Sequence, residues 1–270
     1  MMSSSNTENA LTWYATGIGW IEKEAANLGL TYLDRAIPLF EEMGDVLKVA
    51  RARHHRLIGL QRVERHDEVE TDVLPVLEGY ARMESHYGQA LAYAHLAESI
   101  ARLGRWERAM TYLNLAESIA TAKTERHVLR YTVERQGRLF EERETPVQAV
   151  RMFKRAETLA AEDGNESEAA RMRASQGAAL ARMGERSEAV GLLEDAQRRL
   201  MGQKRFREAL ESLALLSRIY ESTGQFEEQS RTKEIMHLCG QQVIRSGDER
   251  KRRRAPGEPP IDPEVVVEVN

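Results

Sequence analysis

The chain predicts an all-α fold built from repeated helix pairs, and three observations carry that expectation. Its body is rich in Ala, Leu, Glu, Arg and Gln, all good helix formers, and the β-branched run Val265-Val266-Val267 comes only near its end. Proline is sparse where helices must run, at Pro38, Pro75 and Pro146, and crowds at Pro256, Pro259, Pro260 and Pro263. The third observation is periodicity. Bulky apolar residues recur every 40 residues at Trp20, Leu60, Ile100, Phe140, Leu180 and Tyr220, through six copies without insertion or deletion.

Each copy reads as two helices, because its apolar and small residues fall at spacings of three and four with a break between two such stretches. The first copy carries Gly17 ahead of Trp20, then Gly29, Leu33 and Ala36, and ends at Gly44-Asp45. In the second, Leu57 and Leu60 precede Val69, Val73 and Val76, and Ser85 to Gly88 closes it. Ala97 and Ile100, a turn at Gly104, then Ala109, Leu113 and Ala116 make the third. Gly137 and Phe140 open the fourth, with Glu144 and Pro146 in its turn, followed by Ala149, Phe153, Ala156 and the break at Asp163-Gly164-Asn165. The fifth runs Gly177, Leu180, Gly184, Ala189, Leu193, Ala196 and stops near Gly202. The sixth keeps Ser217, Tyr220, Gly224 and Met236 but has Gln229 and Lys233 where the other copies are small or apolar. A small residue facing a large one lets two helices approach closely, so the columns read as an interlock. Each helix is expected to run roughly 14 to 17 residues.

The segment Ala90 to Ala120, with Leu96-Ala97, Ile100, Gly104, Trp106, Ala109, Leu113 and Ala116, resembles a tetratricopeptide repeat (TPR). Residues 170–200 are similar through Gly177, Leu180, Gly184, Ala189, Leu193 and Ala196. The commonest form of that repeat has about 34 residues. The 40-residue copies resemble the longer-helix variety of bacterial regulators and kinesin light chain. The resemblance implies a right-handed α-solenoid of about six antiparallel helix pairs, a TPR-like superhelix over residues 10–246. Residues 1–9 are expected as a flexible N-terminus and 247–270 as a disordered tail.

The resemblance also puts the first helix of each copy on a concave wall. Arg51, His54, His55, Tyr131, Glu134, Arg138 and Arg171 then become the expected partner-binding residues. Arginine's planar fork takes a carboxylate in two parallel hydrogen bonds, which suits an acidic peptide or a chain terminus. The competing reading is that such arginines are solvated and pair with Glu at helical spacing. The asparagines and lysines of the carboxylate clamp found in chaperone-binding repeat proteins are missing from these positions. Leu11, Tyr14, Ile18 and Ile21 share one face of the first helix and suggest self-association as a homodimer; otherwise that helix is rotated to bury them.

Composition excludes other classes. A net charge of -4 and a pI near 6.1 provide no overall basic field, so nucleic acid is not an expected partner. No stretch approaches the roughly 20 apolar residues of a membrane span, and a cytoplasmic protein is the expectation. The lone Cys239 supports neither an internal disulfide nor a cysteine zinc site, and it falls in an apolar column with Leu39, Ile119 and Leu159.

Phosphate-loop, nucleophile-elbow and zinc-protease motifs do not occur, Gly17-Ile18-Gly19 lacks the third glycine of a dinucleotide fold, and Asp163-Gly164-Asn165-Glu166 lacks the ligand alternation of a calcium loop. His54, His55 and His95 face one groove, but helix axes about 8–10 Å apart disfavour a shared ion. No enzyme, cofactor or metal is expected. The expected function is a non-enzymatic scaffold or adaptor binding a peptide or protein segment, the alternative a peptide-gated regulator. In the tail, the cations Arg250 to Arg254 precede Glu258, Asp262, Glu264 and Glu268, and the acidic end is expected to compete for the wall.

Overall fold

The computed structural model describes residues 4–253, with side chains over 6–246. Among the described residues the chain forms twelve helices and no strand. They are α1 (Ser4–Glu22) and α2 (Ala26–Glu42), α3 (Val46–Arg62) and α4 (His66–Arg82), α5 (His86–Arg102) and α6 (Trp106–Ala122), α7 (Arg126–Glu142) and α8 (Pro146–Glu162), α9 (Glu166–Met183) and α10 (Arg186–Gly202), α11 (Phe206–Ser222) and α12 (Phe226–Arg253). Two compact units are present, the first ending at Leu129 and the second beginning at Arg130.

The turns have a period half that of the sequence repeat. Glu24, Gly44, Glu64, Glu84, Gly104, Thr124, Glu144, Gly164, Gly184, Lys204 and Gly224 lie 20 residues apart, each with φ between 52° and 84°. At every one of these turns the next residue's N–H returns to the carbonyl five positions back, as in Asp45 to Phe40 (3.1 Å), Arg65 to Leu60 (2.9 Å), Arg105 to Ile100 (3.1 Å) and Gln225 to Tyr220 (2.9 Å). This is the helix-ending arrangement that satisfies the last carbonyls of a helix through one left-handed residue. Asp45, Ser85 and Asn165 then cap the following helix by accepting from the N–H of Lys48, Gly88 and Glu168. Pro146 opens α8, where its missing N–H costs nothing.

In the first unit, α1 packs on α2, α2 on α3, α3 on α4, α4 on α5 and α5 on α6, while the first helices α1, α3 and α5 also touch in sequence. Phe40, Ala10, Ala36 and Ala52 are fully buried together, and Ile21 packs with Ala26 and Leu33. In the second unit α8 packs on α9, α9 on α10, α10 on α11 and α11 on both α9 and α12. Its core joins Leu180, Leu193, Leu216, Ile219 and Tyr220.

The expected small-against-large interlock is present in both units. A Cβ on Gly17 would lie 2.9 Å from Leu33 Cγ, one on Gly137 2.7 Å from the Phe153 ring, and one on Gly177 2.8 Å from Leu193 Cγ. Such distances leave no room for a methyl group without a shift of the partner.

Two boundaries and one packing seam differ from the sequence reading. Helix α1 begins at Ser4 rather than after residue 9, because Ala10 is buried against the first core and anchors the turns before it. Helix α12 continues to Arg253, since nothing between Gly247 and Arg254 forbids helix; the acidic tail and its expected competition for the wall lie outside the described residues. In α12 the packing seam also rotates. Lys233 is exposed and Thr232 beside it is buried instead, while Gln229 and Cys239 are buried in their expected columns, where burial pushes the Cys239 thiol up.

A non-glycine residue in the left-handed region costs about 1 kcal/mol. A Cβ on Gly104 or Gly224 would meet no atom within 4 Å, so backbone strain alone governs those sites. Gly104→Ala should therefore lower stability by about 1 kcal/mol, while Glu64→Gly and Glu144→Gly raise it by a few tenths to about 1 kcal/mol. Urea midpoints measure all three, and a destabilising shift for the two glycine variants would reject the strain account.

Candidate functional site

The residues expected on the concave wall come from equivalent turns of the first helices, and the two units use those places differently. In the first unit, His54 of α3 is only 4% exposed. Its Nδ1 lies 3.0 Å from the Tyr80 hydroxyl, and its ring meets that of His95 edge-on at 5.2 Å between centroids. His95 Nδ1 in turn lies 3.1 Å from Gln61 Oε1, and Gln61 Nε2 donates to the His95 carbonyl (2.7 Å) and to Ser99 Oγ (3.0 Å). His55 is half-buried and stands edge-on to Tyr14 at 5.6 Å. Arg51 is half-buried one turn before it.

Burial holds His54 well below the usual histidine range, with the charges of His95 and His55 adding to the effect. Burial, and then Arg51, lower His55 to about 4. This stretch of wall is thus a packed histidine–tyrosine cluster with Arg51 one turn along it. Among the described residues no three His, Cys, Asp or Glu side chains come together to hold a metal ion.

The four residues expected to self-associate do not form an exposed face. Ile18 and Ile21 are 5% and 3% exposed, Tyr14 packs edge-on to Phe40 at 5.9 Å, and only Leu11 reaches 38% exposure. The reason is rotational: α1 has α2 and α3 against it, and it turns its apolar stripe onto them.

The second unit brings the remaining candidates together around one carboxylate. Glu134 of α7 is 2% exposed. Arg171 of α9 clamps it with Nη1 to Oε1 and Nη2 to Oε2, both at 2.7 Å. Arg138 adds Nε and Nη2 contacts to the same Oε1, at 3.0 and 2.9 Å. Arg171 also donates from Nε to Glu168 Oε2 at 3.0 Å, and Arg130 reaches that oxygen at 3.2 Å. The result is a ladder, Arg130–Glu168–Arg171–Glu134–Arg138, buried at the Arg130 end and 46% exposed at the Arg138 end. Tyr131 is half-buried beneath the Arg135 guanidinium, 4.6 Å from its ring centre.

Burial works to raise the Glu134 carboxyl, but the hydrogen bonds and charge of Arg171, aided by Arg138 and Arg135, hold it at about 2. Burial likewise works to lower Arg171, and Glu134 and Glu168 overcome it. The fork of Arg171 is therefore engaged within the chain, and its role is to fix α7 against α9. Sequence spacing alone does not show this pair, because its members are 37 residues apart. The 40-residue register does contain the signal: Glu134 lies three residues past the place equivalent to Arg171.

Two predictions follow from these charges. Arg171→Ala leaves a buried carboxylate with Arg138 and the charge of Arg135 and should cost about 3 kcal/mol in urea unfolding, whereas Arg138→Ala should cost less than about 1 kcal/mol. Equal costs would show that the ladder is not centred on Arg171. His54 and His55 have folded pKa values below the unfolded 6.5, so their stability contribution is complete above pH 6.5 and falls as pH drops toward about 4. The slope is up to about 1.4 kcal/mol per pH unit for each histidine. Urea midpoints at pH 7.5 and pH 5 should differ accordingly, and His54→Gln should reduce the difference; an unchanged pH dependence in that variant would exclude His54.

No family model matches the chain, and no curated protein matches it in sequence. Solved structures do match. The apo form of RapI is 14% identical with a TM-score of 0.64, covering 88% of this chain and 85% of that one. The STAND protein PH0952 from Pyrococcus horikoshii, which carries a tetratricopeptide repeat sensor, is 12% identical with a TM-score of 0.69, covering 89% of this chain and 38% of that one. The Rap conjugation gene regulator of plasmid pLS20, in complex with the Phr* peptide, is 12% identical with a TM-score of 0.64 over 95% of this chain and 80% of that one. With its helix pairs, interlocking columns and these neighbours, the chain is an all-α repeat protein with the TPR-like solenoid fold.

Proposed function

We propose that this chain is a non-enzymatic interaction protein that holds a peptide, or an extended segment of another protein, against its first-helix face. The observation that carries this reading is the ladder of the second unit. A buried carboxylate is costly to keep, and here Glu134, already clamped by Arg171, keeps the exposed Arg138 at the surface, one copy before the small, half-buried Ala174 and Ala178. An exposed charge in register with small side chains suits an incoming chain. The fold likeness agrees, since one similar Rap protein is complexed with Competence and Sporulation Factor and another with the Phr* peptide.

A second reading is that the bound peptide gates contact with another protein. It is favoured by the description of the Phr* complex as a conjugation gene regulator. Panning a displayed peptide library against the full chain should enrich sequences whose binding is lost in Ala178→Trp, a variant that fills the face from a half-buried position. Equal binding by that variant, with its unfolding midpoint unchanged, would reject the first-helix face as the site. A small-angle scattering profile that changes on adding an enriched peptide selects the gated reading.

A further inference from the structure

In the second unit the first helices α7, α9 and α11 place Arg138, Ala178 and Arg218 at the same position of three successive copies. Arg138 shares with Arg171 an oxygen of Glu134 that Arg171 already holds at 2.7 Å. The bidentate clamp of Arg171 satisfies Glu134 without it, so Arg138 can turn to another carboxylate at little cost. Its Nη1 has no partner among the described residues, and its side chain is 46% exposed. Arg218 is exposed and makes no hydrogen bond or ion pair among the described residues, although Glu221 stands one turn along the same helix. Between the two arginines, Ala174, Ala178, Ala214 and Leu215 are half-buried, a floor of mostly small apolar side chains. The equivalent positions of the first unit are Ile18, Ile58 and Glu98, so the paired cations are particular to the second.

Two steps between neighbouring helices put the arginines about 16–20 Å apart, which an extended chain covers in about six residues. We propose that Arg138 and Arg218 form a two-point anchor for a segment of another polypeptide carrying two acidic residues about six positions apart, with small or apolar residues between them on the alanine floor. One exposed arginine adds little, but two at a fixed separation make the second contact intramolecular once the first has formed. This rests on the peptide-binding reading and specifies the chemistry of its ligand.

The test uses the full chain at low salt and three labelled probes of alternating Val and Ser. One has Glu at both ends six positions apart, one has the two Glu adjacent, and one has Gln in place of both. Fluorescence anisotropy should rank the spaced probe tightest. Arg138→Ala and Arg218→Ala should each weaken it roughly fivefold and together about twentyfold, with neither change affecting the Gln probe. Equal affinity for spaced and adjacent probes, or no loss in either variant, overturns the anchor. If panned peptides bind both arginine variants unchanged, the peptide-binding reading stands and the anchor falls; if no peptide of any charge binds, both fall. Removing residues 254–270 should leave the spaced probe's affinity unchanged, and a tightening would assign the arginines to the chain's own acidic segment instead of a partner.

Discussion

The left-handed turn residue, returning every 20 residues, is the constraint on which the rest of this structure depends. A helix advances by about 100° per residue, so one added residue would rotate every later side chain off its partner. Closing each helix on a fixed carbonyl keeps the phase from one helix to the next. That phase sets Gly17 under Leu33, Gly137 under Phe153 and Gly177 under Leu193, and it gives the first helices a shared register. Six of the eleven turn residues described are not glycine, so the chain accepts local strain in return for regular stacking.

Much of this was legible in the sequence, because close packing writes itself as periodic residue size. The 40-residue period, the small and large columns and the helix lengths all follow from it. Breaks at Gly44-Asp45 and Asp163-Gly164-Asn165 were visible because glycine and a capping side chain mark them together. The turns at Glu24 and Glu64 were not, since glutamate carries no turn preference and only the surrounding period locates them. The rotation of α1 was equally hidden. An apolar stripe shows which face is buried, and it does not show whether the cover is another chain or the next helix.

The candidate site was legible by position and not by state. Position 14 of successive copies is Tyr14, His54 and Ala94 in the first unit, then Glu134, Ala174 and Ala214 in the second. The first-helix reading named these places as a set. It did not show that His54 and Glu134 are nearly inaccessible, because burial depends on partners supplied from elsewhere: Tyr80 26 residues away and Arg171 37 residues away. The two partners produce opposite electrostatics from the same place in the fold. Burial keeps His54 neutral, whereas a guanidinium clamp keeps Glu134 charged.

The ladder also divides the second unit mechanically. Between α7 and α9 the first helices are riveted by charged side chains that must separate together if the seam opens. Between α9 and α11 the corresponding places hold Ala174 and the exposed Glu211, with no ionic rivet across them. Small thermal openings should therefore concentrate at the second seam, which is the more compliant joint. A ligand spanning both seams would stiffen the one and find the other already rigid.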